Sequence, residues 1–256
     1  MMPRYRRLGW FIGSGVVLAF FCITRVAAEP NVAAASSLNQ VLQEISRLYR
    51  NHSGQSVNLI FGSSRGLAHQ IRAGAPYDIF LSADAESIRL LQKDSRADGE
   101  QVVYGKGRLA LFVVEGSPFR LSSSLRFGIN DNDFARVRKF AIANPYTAPY
   151  GRIAGEALRR AGVWNRITGR LVIGQSALQA AQFVLSRNAD AALLPYSLVL
   201  GKGFAGRGTA VLVSETLYTP LSHEMILVRG AGDDARKFFR FLQSETVMDH
   251  FASNGL

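Results

Sequence analysis

From residue 31 onward, short apolar runs alternate with amphipathic stretches, and this alternation restricts the chain to few folds. The runs Asn31–Ala35, Val57–Phe61, Tyr77–Leu81, Arg108–Val114, Phe140–Ala143, Arg170–Ile173 and Ala191–Leu194 have the length and apolar character of buried strands. Between them, Asn39–Arg50, Leu67–Ala73, Asp84–Gln92, Tyr150–Ala161 and Ala177–Ser186 read as helices. The first places Val41, Leu42, Ile45, Leu48 and Tyr49 on one face. Strands that alternate with helices predict an α/β architecture with mixed, mostly parallel sheets. Residues 115–137 are polar and read as a crossing to a second α/β unit. Ala210–Val213 and Glu224–Val228 then read as strands leading back, and Asp233–Leu242 starts a helical cap. The expected division is 29–113 plus 223–256 for one lobe and 114–222 for the other, with a ligand cleft between them at the carboxyl ends of the strands.

The joints between strands and helices say what the cleft holds. Ala33-Ala34-Ala35-Ser36-Ser37-Leu38 and Phe61-Gly62-Ser63-Ser64-Arg65-Gly66-Leu67 each end an apolar strand in small residues and hydroxyls before a helix begins. In the second half Asn144 to Gly151, and Gly174-Gln175-Ser176-Ala177, do the same. A helix start offers free N–H groups at the positive end of its dipole, so it holds an anion without a charged side chain. Ser37 with Gln40 and Ser176 with Gln179 also fit capping boxes, in which the serines serve only their own helices. Four matching joints favour one shared anion pocket over four separate caps.

Arg4, Arg6 and Arg7 precede an apolar stretch from Leu8 to Ile23, and Val26-Ala27-Ala28 supplies small residues for cleavage near Ala28-Glu29. This is a signal peptide over residues 1–28, and it implies export to the periplasm. Bulky Phe21 before Cys22 argues against lipidation, so cleavage removes the chain's single cysteine and leaves a mature protein without disulfides. The leader carries four arginines and no acid, which leaves the remainder at +7 against +11 for the whole chain. The basic residues are scattered in pairs such as Arg159-Arg160 and Arg236-Lys237, without interleaved aromatics. That pattern speaks against a nucleic-acid partner and suits the steering of an anion.

Two motifs argue for other chemistry. Gly62-Ser63-Ser64-Arg65-Gly66 fits the nucleophile elbow G-x-S-x-G, which would make the chain a secreted serine hydrolase using Ser64. It needs a downstream acid and histidine; His223 and His250 exist, but no acid stands out as the orienting partner. Gly201-Lys202-Gly203-Phe204-Ala205-Gly206 fits a dinucleotide fingerprint in letters, but a strand follows it where a helix is required. His52 and His69 have no ligand spacing, so no metal-cation site and no cofactor are expected.

The joints taken in order resemble the periplasmic molybdate-binding proteins, the solute receptors of bacterial molybdate importers. The likeness rests on Ala34-Ala35-Ser36-Ser37-Leu38, on Phe61-Gly62-Ser63-Ser64 with Leu67 to Ile71, and on Gly74-Ala75-Pro76-Tyr77-Asp78 through Ser82-Ala83-Asp84. It continues in Ala143-Asn144-Pro145, Ala148-Pro149-Tyr150-Gly151, Glu156-Ala157-Leu158 and Gln182-Phe183-Val184 with Asn188-Ala189, closest to the branch with tyrosine at the ligand. The resemblance implies a two-lobed periplasmic binding protein fold of type II, without catalysis. It implies a monomer that binds molybdate or tungstate and delivers it to an inner-membrane ABC permease. Another small oxyanion such as sulfate is the alternative ligand. By the same resemblance Ser37 and Ser64 donate hydroxyl and backbone N–H bonds, with Ser36 at a neighbouring contact. Tyr150 gives its N–H, its hydroxyl or both, and Ala177 its N–H. The chain departs from the family pattern at Arg65, at Ser176 and at Pro195-Tyr196.

Overall fold

The computed structural model describes residues 29–119 and 136–256; the expected signal peptide with Cys22, and most of the expected crossing over 115–137, lie outside them. One sheet contains β1 (Asn31–Ala35), β2 (Asn58–Gly62), β3 (Ile79–Ser82), β4 (Ala97–Gly107) and β10 (Leu221–Val228), in the order β2-β1-β3-β10-β4. The other contains β5 (Leu109–Val114), β6 (Phe140–Ala143), β7 (Leu171–Gly174), β8 (Ala191–Pro195) and β9 (Gly208–Leu212), in the order β7-β6-β8-β5-β9. The two orders are the same pattern. Three parallel strands are wound outward from a central one, β1 or β6, and a fourth strand lies antiparallel to its neighbours. The winding reverses beside β1 and β6, so a crevice opens at their carboxyl ends.

Helices cover the sheets: α1 (Asn39–Ser53), α2 (Ser64–Arg72) and α3 (Ala85–Lys93) in the first lobe, with α8 (Asp233–Leu242) and α9 (Glu245–Ser253) returning to it. The second lobe has α4 (Pro149–Arg160), α5 (Trp164–Ile167), α6 (Ala177–Leu185) and α7 (Tyr196–Val199). Side chains alternate across each strand, which explains the continuous apolar runs. Leu109, Leu111 and Val113 enter the main core, while Ala110, Phe112 and Val114 enter the core under α6. Met225 and Leu227 face the main core and Ile226 and Val228 the one under α2 and α3. Phe238 on α8 is fully buried with its ring 4.8 Å from that of Tyr49 on α1. Truncating such a residue to alanine costs roughly 3–5 kcal/mol.

Three expectations about the chain's organisation change. Leu109–Val114, placed in the first lobe by a boundary after residue 113, pairs with β8 and β9 in the second sheet. The first crossing therefore falls at Arg108, just after β4. An apolar run shows that a strand is buried but not which sheet buries it. The return strand β10 begins at Leu221, ahead of the expected boundary at 223. Strand β4 was not expected at all, because Asp98, Glu100, Gln101 and Lys106 break its apolar signal. It is the edge strand of the first sheet, where half its residues face water.

Two close approaches of glycines shape the surroundings of the site. A Cβ on Gly151 would lie 2.4 Å from the carbonyl oxygens of Ala143 and Asn144, so glycine lets α4 rest directly on the exit of β6. A Cβ on Gly107, the last residue of β4, would lie 2.7 Å from both His223 Nε2 and Tyr150 Oη.

Candidate anion-binding site

The two central strands end alike: Ala35 of β1 stands opposite Gly62 of β2, and Ala143 of β6 opposite Gly174 of β7. Beyond these pairs the chain turns straight into helices. Ser36–Leu38 forms one 3-10 turn ahead of α1, Ser64 is the first residue of α2, Tyr150 follows Pro149 at the start of α4, and Ala177 opens α6. Proline suits that first position because its missing N–H would have no partner there. All five residues singled out in the sequence, Ser36, Ser37, Ser64, Tyr150 and Ala177, line one cavity between the lobes, together with Ala35, Gly62, Ser63, Ala83, Ala148 and Pro149. Among the described residues no charged side chain lines it. Its volume is about 10 Å³, barely room for a single water, and Ser36 and Leu178 meet across it from the two lobes.

The hydroxyls do different things. Ser64, fully buried, accepts a hydrogen bond from the Ala83 N–H at 3.0 Å, which leaves its own proton to donate. Ser36 accepts from the Leu178 N–H at 3.3 Å and so bridges the first lobe to the first turn of α6. Ser37 does not cap α1; its Oγ is buried without a partner among the described residues, and the expected capping box with Gln40 is replaced by the 3-10 turn over Ser36–Leu38. Ser176 does cap, accepting from the Gln179 N–H at 3.3 Å, while Gln179 accepts from the Gln175 N–H at 2.6 Å. A buried polar atom left unpaired costs stability and is rare in folded proteins, so Ser37 Oγ asks for a ligand. Burial raises the Tyr150 phenol well above its usual range, which keeps it a neutral donor.

Sequence reasoning missed the supports around these groups. The Ala83 N–H holds Ser64, and Ser197, at the start of α7, donates to the Ser37 carbonyl at 3.4 Å. His223, fully buried on β10, contacts the Tyr150 hydroxyl. The Ser82-Ala83-Asp84 block was a visible signal for Ala83; nothing in the local pattern marks His223 or Ser197. The departures from the family pattern also find their places. Arg65 points away from the cavity to Glu86 at 2.7 Å on the surface, and Arg108 lies 4.8 Å over the ring of Tyr196.

Among the described residues no histidine hydrogen-bonds Ser64, as the hydrolase alternative would require. Its histidine would have to take a proton from Ser64 and be oriented through the other ring nitrogen by a carboxylate. His223 faces Tyr150 instead, and its Nδ1 has no partner; His250 pairs with Glu44 at 3.1 Å, far along the chain. Among the described residues no group of three or more His, Cys, Asp or Glu side chains is placed to hold a metal ion.

Residues 30–256 match the family described as bacterial extracellular solute-binding protein. The molybdate-binding protein ModA of Rhodobacter capsulatus is 30% identical over 226 residues, 87% of this chain and 86% of that protein. The protein of the same name from Azotobacter vinelandii is 31% identical over 214 residues, 81% of each. Among solved structures, the periplasmic molybdate-binding protein of Azotobacter vinelandii superposes with a TM-score of 0.78 at 23% identity, covering 89% of this chain and 98% of that one.

Proposed function

The chain belongs to the family of bacterial extracellular solute-binding proteins, and we propose that it is the periplasmic, non-catalytic receptor that holds molybdate, or tungstate, for an inner-membrane ABC permease. The observation that carries this reading is the partnerless Ser37 hydroxyl, buried in a cavity onto which the starts of α2, α4 and α6 converge. Three helix starts at about half a positive charge each offset about three quarters of a dianion's charge, without a lysine or arginine. In this arrangement Ser37 and Ser64 donate through their hydroxyls, the first-turn N–H groups of Ser64, Tyr150 and Ala177 complete the cage, and Ser36 steadies α6 against the first lobe. The names of the relatives support molybdate as the ligand.

A fully deprotonated tetrahedral oxyanion only accepts hydrogen bonds, which suits a cavity lined by helix-start N–H groups and hydroxyls. Phosphate keeps a proton near neutral pH, and among the described residues no carboxylate lines the cavity to take it. Sulfate has the right charge and is smaller, so donors fixed on helix ends would reach it less well. Calorimetric titration of the chain from Glu29 onward with molybdate, tungstate, sulfate and phosphate tests the reading. Molybdate and tungstate are expected to bind with similar affinity and sulfate far more weakly. Tighter binding of sulfate would overturn the ligand, and no binding of any of the four would overturn the receptor.

A further inference from the structure

Tyr150 stands in two places. Its backbone opens α4 at the cavity, while its ring runs back to the junction where the chain crosses between lobes. There its hydroxyl lies 3.3 Å from His223 Nε2, with the two rings edge to face at 5.8 Å and 85°. His223 sits on β10 opposite Gly105 of β4, beside the first crossing, and its ring lies 5.5 Å from that of Tyr104. Gly107 leaves the space that both groups occupy. His223 is fully buried, and its Nδ1 has no partner among the described residues.

A neutral imidazole carries one proton, on one nitrogen. On Nδ1 it would make a buried N–H with no acceptor, the rarer kind of orphan; on Nε2 it has an acceptor in Tyr150 Oη. We infer that His223 is a positioning residue of the anion site: it donates from Nε2 to the Tyr150 hydroxyl and so pins the first turn of α4, with its N–H, to the strands of the other lobe. Burial pushes the His223 pKa down to about 3, so the imidazole stays neutral at physiological pH. The phenol keeps its own proton and turns it from His223 toward Ser197, its other hydrogen-bond partner, whose hydroxyl in turn donates to the Ser37 carbonyl. This inference rests on the receptor reading above and adds a residue that touches no ligand.

The test compares molybdate affinity in the wild type, His223→Leu, His223→Gln, Tyr150→Phe and the double variant His223→Leu with Tyr150→Phe. Glutamine can present an N–H near the place of Nε2; leucine cannot. His223→Leu and Tyr150→Phe are each expected to bind about tenfold more weakly, because each breaks the same buried bond. The double variant should bind about as weakly as the weaker single one, since partners in one interaction are not additive. His223→Gln should stay close to wild type, a rescue that mere space-filling would not give. Wild-type affinity in His223→Leu, additive losses in the double variant, or glutamine as weak as leucine would overturn the inference. If the wild type itself binds no molybdate, the receptor reading fails instead. Nitrogen NMR of the wild-type protein adds a readout independent of any variant's folding: the expected tautomer has the proton on Nε2, and a proton on Nδ1 would overturn the assignment.

Discussion

Replacing Ser37 with alanine separates a ligand contact from a helix cap by the sign of its effect on stability. A capping serine changed to alanine costs about 1 kcal/mol. Ser37 Oγ, however, is buried with no hydrogen-bond partner, so the unliganded protein already bears the cost of desolvating it. Alanine removes that atom and leaves no orphan behind. The unliganded variant should therefore be as stable as wild type or more stable, by up to about 1–3 kcal/mol. For a chain of this size each kcal/mol moves the melting temperature by roughly 2–4 °C. Ser64→Ala is the contrasting case. It strips the Ala83 N–H of its acceptor at 3.0 Å, and a buried N–H without a partner costs about 1–3 kcal/mol. Both variants lose a charge-assisted bond to the anion, worth roughly 1.5–3 kcal/mol or about ten- to a hundredfold in affinity. Thermal melts without ligand, paired with calorimetric titration of molybdate, measure both quantities. A Ser37→Ala protein that melts lower than wild type yet binds molybdate equally well would refute the reasoning.

Saturating molybdate should raise the melting temperature of the wild type, because a ligand a thousandfold above its dissociation constant stabilises the native state by about 4 kcal/mol; a melt unchanged at millimolar molybdate would count against the site. Ala177→Ser keeps the N–H at the start of α6 and should keep most of the affinity, whereas Ala177→Pro removes that donor at a position where proline is tolerated and should abolish binding, as calorimetry of the two proteins would show. His223 also gives a pH signature. An unfolded histidine takes up a proton near pH 6.5, but the buried one resists until about 3, so stability should fall as the pH drops through that window. Urea midpoints measured across it should fall less steeply in His223→Gln.

Much of this could be read in the residues, for physical reasons that differ from part to part. Strands buried on both faces, such as Phe140–Ala143, announce themselves as apolar runs. Helix starts such as Ser176-Ala177 announce themselves through cap chemistry. The five residues that line the cavity were reachable because helix starts at the ends of parallel strands share one location. Other features had no local signal. In strand β4 the strand formers Val102, Val103 and Tyr104 sit among charged residues and glycines, and its pairing partner β10 lies far along the sequence. The assignment of Leu109–Val114 to the second sheet depends on β8 and β9, which lie far along the sequence. Ser37 fits a cap because S-x-x-Q is a local pattern, but the chain forms a 3-10 turn over Ser36–Leu38 there instead. His223 acts on Tyr150 across 73 positions of sequence, which no periodicity reveals.

Strand β10 sits inside the first sheet, between β3 and β4, yet it is made after every strand of the second. As the polypeptide emerges from its amino end, β3 and β4 must wait with unfilled edges until the rest of the second lobe has passed. The first half thus cannot complete itself ahead of the second, and the two must finish together once Leu221–Val228 arrives. An interrupted chain that stops after β9 would leave an open-edged sheet that invites self-association, and not a spare, working half-receptor.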